Sequence, residues 1–182
     1  MSLTPNEAAN TLRDIEATGR ASSQAFGYRH SGKHLIIWGL VWVAGYSAMD
    51  FFPRYAGPIW LTLSILGALA ASFVGSRDKA NNRRNNLQIL GLVAVAIAFV
   101  IATDTIMWPV NVAQQAAFIP LLAAAAYTAV GLWEGPRWIV AGVVLAALTL
   151  GGFFYIHEHF SLYMGAVGGG SLILAGLWMR SA

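Results

Sequence analysis

Cysteine is absent from the chain, which excludes disulfides, thiolate metal ligands and cysteine nucleophiles. Charge is scarce as well, because charged residues make up 10% of the sequence, where a soluble domain carries about 25%. Hydrophobic residues make up 57%. A water-soluble fold of 182 residues cannot bury that much apolar surface. The composition therefore predicts an integral membrane protein.

Sequence motifs of the common enzyme classes are also missing. The chain has no phosphate loop, no dinucleotide fingerprint, no zinc-protease helix and no embedded serine with a histidine partner. The net charge of +3 does not indicate nucleic acid as a partner, because the charges flank apolar runs instead of clustering on one face. The sequence therefore identifies no cofactor and no substrate.

The N-terminal segment, residues 1–33, is polar and lacks the short apolar core of a signal peptide, so we expect no cleavage. Thr4 and Glu7 have the spacing of a capping box and predict a helix start. The weakly apolar face that follows predicts an amphipathic helix on the cytoplasmic membrane surface or against a partner. Gly19 and Gly27 are the candidate points at which this helix breaks.

Six apolar segments follow, and none has a charged residue near its centre. About 20 apolar residues are needed to cross a bilayer. The predicted fold class is therefore an all-α integral membrane protein with a six-transmembrane-helix bundle over residues 34–182. The predicted spans are 34–52, 57–75, 87–107, 113–133, 137–156 and 160–179.

The basic residues predict the orientation, because lysine and arginine in short loops stay on the cytoplasmic side. Of 11 basic residues, all but Arg54 fall in the N-terminal segment, the loops after the second and fourth spans, or the C-terminal tail. These residues are Arg13, Arg20, Arg29, Lys33, Arg77, Lys79, Arg83, Arg84, Arg137 and Arg180. We therefore expect a multi-pass protein of the cell (inner) membrane with both termini in the cytoplasm.

Short echoes between the spans indicate a repeat. The first and third spans share Gly-Leu-Val, at 39–41 and 91–93, and the fourth and sixth end in Gly-Leu-Trp, at 131–133 and 176–178. Either three helical hairpins repeat in one orientation, or apolar helices share these fragments by chance. In architecture alone, three hairpins resemble the small acid-resistance membrane proteins. No motif carries that family's function over to this chain.

Small residues at four-residue spacing allow helices to approach closely in lipid. They are Gly67, Ala71 and Gly75, Ala125 and Ala129, Ala147 and Gly151, and Gly165 and Gly169. They indicate tight packing within one bundle or, alternatively, a homo-oligomer interface. The run Gly168–Gly170 marks a point where a neighbouring backbone crosses the sixth span or where that span unwinds beside a ligand path.

Six ionisable residues lie at the outer ends of the first, third and fifth spans. They are Asp50, Arg54, Asp104, His157, Glu158 and His159. A carboxylate near the membrane boundary is costly unless it is hydrated, paired or protonated, so these residues form a candidate outer-mouth site for a ligand or proton. Histidine with carboxylate also suits zinc, nickel or copper(II), with His157 and His159 as the metal-ligand candidates. The alternatives are solvated loop residues and a pair of Asp50 with Arg54, four residues on.

An aromatic stripe precedes the aspartate of the first span. Trp38, Trp42 and Tyr46 recur every four residues and share one face of the predicted helix. Such a face can guide a cation towards Asp50 through cation–π contacts. It can equally pack against neighbouring helices or lipid, and a buried Tyr46 then needs a hydrogen-bond partner.

Three functions fit these observations. The first, which the sequence favours over the others, is a small permease or channel with an acidic and histidine-containing outer mouth. The second is a membrane-embedded regulatory or sensor protein that binds a cytoplasmic partner through the N-terminal helix and the basic loop at 76–86. The third, an intramembrane enzyme, has the least support, because no nucleophile is paired with the acids. The predicted partners are the lipid bilayer, a second copy of the chain and a cytoplasmic protein.

Overall fold

The structure, a computed structural model, describes residues 5–76, 95, 97–107, 111–156 and 158–181. The described part of the chain is helical and contains no strand. We number its helices α1 (Pro5–Phe51), α2 (Ala56–Ser76), α3 (Ile97–Met107), α4 (Val112–Glu134), α5 (Pro136–Tyr155) and α6 (Phe160–Arg180). A 3₁₀ turn, Pro53–Tyr55, joins α1 to α2, and α6 contains a π-helical segment, Met164–Gly169.

Five of these helices are long and apolar enough to cross a membrane, which confirms the predicted helical membrane architecture. They correspond to the first, second, fourth, fifth and sixth predicted spans. Of the third predicted span, the structure describes residue 95 and the outer part, Ile97–Met107. The rest of that span, the basic loop at 77–86 and the second copy of the Gly-Leu-Val echo lie outside the described residues.

Helix α1 is longer than the predicted first span. Its 47 residues form one uninterrupted helix, about 70 Å long at 1.5 Å per residue. The hydrocarbon core of a bilayer is about 30 Å thick. The expected breaks at Gly19 and Gly27 are wrong. A glycine inside a helix lowers helix stability by only about 1 kcal/mol relative to alanine, and the helix-forming residues on both sides offset that loss. The predicted boundary between residues 33 and 34 falls inside this helix.

Helices α1 and α6 run antiparallel and meet at glycines. A Cβ atom placed on Gly39 would lie 2.8 Å from the carbonyl oxygen of Gly169, and one placed on Gly169 would lie 2.8 Å from that of Gly39. Seven residues away, Gly32 and Gly176 stand in the same relation, at 2.5 and 2.6 Å. The run Gly168–Gly170 is therefore a point where the backbone of α1 crosses, and α6 stays helical through it.

Helices α4 and α5 form a hairpin with a turn of one residue. Gly135 has φ 122°, a left-handed conformation that favours glycine. On α5, Gly142 packs on α4, where an added Cβ would lie 2.6 Å from the carbonyl oxygen of Ala124. Helices α4 and α5 therefore pack closely against each other beyond the turn.

The centre of the bundle is apolar. Among the described residues, Thr149 is the one buried residue of the polar or charged types, and its hydroxyl donates to the carbonyl oxygen of Leu145 in its own helix. The largest fully buried apolar side chains are those of Leu145, Met164, Leu172, Met179 and Pro120. Polar contacts between helices therefore lie mainly towards the two ends of the bundle, which we call the Asp50 end and the Arg137 end.

Candidate functional site

At the Asp50 end, the structure joins two of the predicted site residues. Asp50 lies in the last turn of α1 and His159 directly precedes α6, so the antiparallel packing of these helices brings them together. Asp50 Oδ2 and His159 Nδ1 lie 3.2 Å apart. The Asp50 side chain is 22% exposed and that of His159 is 72% exposed. Solvent therefore reaches the histidine, while the helix ends partly shield the carboxylate.

Arg54 does not pair with Asp50 in the described part of the chain. Pro53 starts a separate 3₁₀ turn, which removes Arg54 from the helical face that carries Asp50. Arg54 and Glu158 are both exposed. His157 lies outside the described residues, so its predicted role at this site stays a prediction.

Asp104 belongs to a second polar contact at the same end. Its Oδ2 accepts a hydrogen bond from Gln115 Nε2 at 3.4 Å. Gln115 is held in the first turn of α4 by a capping box, in which Asn111 and Gln114 exchange side-chain and backbone hydrogen bonds. No hydrogen bond or ion pair joins Asp104 to Asp50 or His159 among the residues described, and those residues contain no group of three potential metal ligands.

The aromatic stripe packs inside the bundle. Trp42 and Tyr46 are buried, and Trp38 packs against the same core. The ring of Tyr46 meets those of Trp42 and Trp60 edge to face, with centroid distances of 5.9 and 5.1 Å. The contact with Trp60 joins α1 to α2, so the stripe contributes to helix packing.

The Tyr46 hydroxyl satisfies a backbone group that a proline leaves free. Pro120 lies inside α4 and has no N–H to donate to the carbonyl of Ala116. Tyr46 donates to that carbonyl oxygen at 2.8 Å. In lipid an unsatisfied carbonyl is costly, so the tyrosine on α1 compensates for the proline on α4. The proline marks the free carbonyl in the sequence, but only the fold identifies the donor.

The Arg137 end holds a cation between aromatic rings, which the sequence analysis did not single out. The Arg137 guanidinium carbon lies 5.4 Å from the ring centroid of Tyr28 and 5.1 Å from that of Trp178. Arg137 Nη1 donates to the Trp178 carbonyl oxygen at 2.7 Å. The same carbonyl, in the last turn of α6, also accepts hydrogen bonds from the Ser181 hydroxyl at 2.8 Å and the Ser181 N–H at 3.3 Å. Tyr28, Arg137 and Trp178 lie far apart in the sequence, on three different helices, so no local motif indicates that they meet.

The N-terminal part of α1 contacts the bundle at the same end. Gln24 Nε2 donates to the carbonyl oxygen of Glu134 at 3.0 Å. Beyond this contact lies an open cleft of about 690 Å³, lined by Glu16, Gly19, Ser23, Gln24, Trp133 and Glu134. The cleft separates the projecting part of α1 from the end of α4.

The two ends thus differ in chemistry. The Asp50 end has a partly exposed carboxylate–histidine pair. The Arg137 end has a guanidinium between two aromatic rings, and an open cleft lies at the same end. Comparison of the chain with protein-family models, with curated proteins and with solved structures found no match. Helix α1 runs between the two ends and carries Asp50 at one and Gln24 at the other.

Proposed function

We propose that the protein is a regulatory or sensor protein of the cell (inner) membrane that binds a cytoplasmic protein through the N-terminal part of α1. The observation that carries this proposal is the continuity of α1 from Pro5 to Phe51. A helix of this length crosses the bilayer and extends well beyond it. The basic residues at the Arg137 end favour the cytoplasm as the side on which it emerges.

The projecting part of α1 has the character of an interaction surface. Leu12, Ile15 and Phe26 are all exposed apolar side chains on this segment. An amphipathic helix with an exposed apolar face binds in a groove of a partner or on a membrane surface. The contact of Gln24 with the end of α4 holds the base of the segment against the bundle.

The sensing site in this proposal is the Asp50–His159 pair, which lies at the opposite end of α1 from the partner-binding segment. His159 is exposed and Asp50 is partly exposed, so a solute on that side of the membrane can reach the contact between them. A ligand that binds there alters the contact between the ends of α1 and α6. Because α1 is continuous, a shift at this contact is transmitted along one helix to the partner-binding segment.

The test is a truncation with matched point variants. Removing residues 1–22 keeps Gln24 and Tyr28, so the bundle should remain folded while proteins cross-linked to the full chain in cells are lost. The variant Leu12→Ser with Ile15→Ser should lose the same proteins, and Arg13→Ser with Asp14→Ser on the polar face should keep them. Identical cross-linked proteins in the full chain and the truncated chain would contradict the proposal.

A small permease or channel is the second candidate. The π-helical segment of α6, Met164–Gly169, favours it, because π-helical turns inside α-helices are frequent at functional sites. The Asp50–His159 pair would then lie at the outer mouth. Proteoliposomes loaded with a pH-sensitive or potassium-sensitive dye test this candidate: flux that Asp50→Asn reduces supports it, and no flux of either ion in the parent protein counts against it.

A further inference from the structure

We propose that the Arg137 end binds the phosphate group of an anionic phospholipid, with Arg137 and Tyr28 as the binding side chains. The site lies between α1, the N-terminus of α5 and the C-terminus of α6. It is independent of the regulatory role proposed above, since a lipid site serves a permease or a regulator equally.

The guanidinium of Arg137 is held in place with most of its donors unused. Its aromatic neighbours, Tyr28 and Trp178, restrict it from two sides, and its one hydrogen bond goes to the Trp178 carbonyl oxygen. A guanidinium has five N–H donors in a planar fork that suits phosphate oxygens. In the described part of the chain no carboxylate forms an ion pair with it. A half-buried cation in this state favours an anionic ligand.

A buried hydroxyl at the same place lacks a partner. Tyr28 is 6% exposed, and its hydroxyl has no hydrogen-bond partner among the described residues. The hydroxyl lies against Gly135, where an added Cβ would collide with it. A buried hydroxyl without a partner costs free energy. A phosphate oxygen at this position would accept a hydrogen bond from the hydroxyl.

The N-terminus of α5 adds a third favourable element. Gly135 precedes the helix, Pro136 occupies its first turn, and no side chain caps it. Pro136 has no N–H and the Trp138 N–H donates to the Gly135 carbonyl oxygen at 3.2 Å, so this terminus attracts an anion through the helix dipole and the Arg137 N–H. Because the Tyr28 ring lies against Arg137 and its hydroxyl lies against Gly135, these three elements are neighbours at this end of the bundle.

A lipid headgroup fits this point better than free phosphate does. Trp178 and Trp133 are exposed near the same end of the bundle, and tryptophan is enriched at the level of lipid headgroups. The exposed side chains of Leu174 and Leu177 on α6 provide an apolar surface for the acyl chains. Basic pockets between transmembrane helices are known to bind anionic headgroups.

The test measures lipid retention by the purified full chain with native mass spectrometry. Phosphatidylglycerol is compared with phosphatidylcholine, and inorganic phosphate is added as a competitor. The parent protein should retain phosphatidylglycerol preferentially, and Arg137→Gln should weaken retention about tenfold, as expected for the loss of charge-assisted hydrogen bonds. Arg54→Gln, an exposed arginine at the opposite end, is the matched control and should retain the lipid like the parent.

Tyr28→Phe keeps the ring against Arg137 and removes only the hydroxyl, so it separates binding from folding. It should weaken retention several-fold, with thermal stability in lipid-free detergent equal to or slightly above that of the parent, because it removes a buried hydroxyl that has no partner there. Equal retention of both lipids by the parent, displacement of phosphatidylglycerol by inorganic phosphate, or parental retention by Arg137→Gln would overturn the proposal. If Arg137→Gln does not fold, parental retention by Tyr28→Phe overturns it and weaker retention supports it.

Discussion

Helix α1 packs against two neighbours in different ways. Against α6, the atoms that a Cβ on Gly39 or Gly169 would meet include backbone carbonyl oxygens. Against α2, a Cβ on Gly45 would meet only the ring of Trp60, at 2.7 to 2.9 Å. The first interface is backbone against backbone, and the second is backbone against a side chain.

The difference shows which interface of the bundle can adjust. Lipid tails solvate apolar side chains as well as a neighbouring helix does, so close backbone packing is a main source of helix association in membranes. Backbone atoms cannot move aside without shifting a whole helix, whereas a tryptophan ring can rotate. We therefore expect the α1–α6 interface to tolerate substitution poorly and the α1–α2 interface to tolerate it better.

The largest effect is expected at the crossing of α1 and α6. Gly169→Ala should lower the free energy of unfolding by about 3 kcal/mol, because the added methyl group meets backbone atoms of α1. The adjacent Gly170→Ala is the matched control: it has open space, and alanine is the better helix former, so it should raise stability by up to about 1 kcal/mol. Denaturation in mixed micelles measures both. Equal effects of the two substitutions would show that the helices do not cross here.

An intermediate effect is expected where α1 compensates for the proline of α4. Tyr46→Phe should cost about 1.5 kcal/mol, because the carbonyl of Ala116 loses its donor. In a Pro120→Ala background, the restored N–H of residue 120 can donate to that carbonyl, and Tyr46→Phe should cost much less. A double-mutant cycle measures this coupling. If the cost of Tyr46→Phe is the same in both backgrounds, the two residues do not share the carbonyl.

A smaller effect is expected at the α1–α2 interface. Gly45→Ala should lower the free energy of unfolding by about 1 kcal/mol, since the ring of Trp60 can shift. Trp60→Leu should remove the clash, so that Gly45→Ala becomes neutral in that background. The same denaturation assay applies. A loss as large as that of Gly169→Ala would mean that the two interfaces are equally rigid.

The smallest effect is expected at the exposed tip of the α1–α6 interface. The Asp50–His159 contact is partly exposed to solvent, and exposed ion pairs contribute about 0 to 1 kcal/mol. His159→Gln should therefore change the unfolding midpoint only slightly. A large destabilisation would mean that this contact supports the fold, and would weaken its interpretation as a sensing element.

Much of the helical architecture follows from the sequence alone. Apolar runs bounded by Pro53, Asn111 and Gly135 predict the ends of α1, α4 and α5 to within a few residues. The continuity of α1 could not be predicted from the sequence. The low helix propensity of glycine indicates breaks at Gly19 and Gly27, whereas in the structure the turns on both sides of each glycine are helical. Five of the six predicted spans have a full-length counterpart among the described helices.

The site was predictable only in part. Asp50 and His159 were singled out by residue type and by their place at the helix ends, but their pairing depends on how α1 and α6 align. The alternative partner, Arg54, was assigned by helical spacing, which fails because α1 stops before Pro53. Arg137 was noted only for its charge, since its partners Tyr28 and Trp178 come from distant parts of the chain.

The account depends on α1 being one helix from its exposed N-terminal part into the bundle. Because the chain has no cysteine, spin labels can be placed at two exposed positions through Leu12→Cys and Leu40→Cys without background. In lipid bilayers, pulsed electron paramagnetic resonance should give a single narrow distance of about 42 Å, the length of 28 residues of straight helix. A clearly shorter or a bimodal distance distribution would show a hinge at Gly19 or Gly27 and would contradict the account.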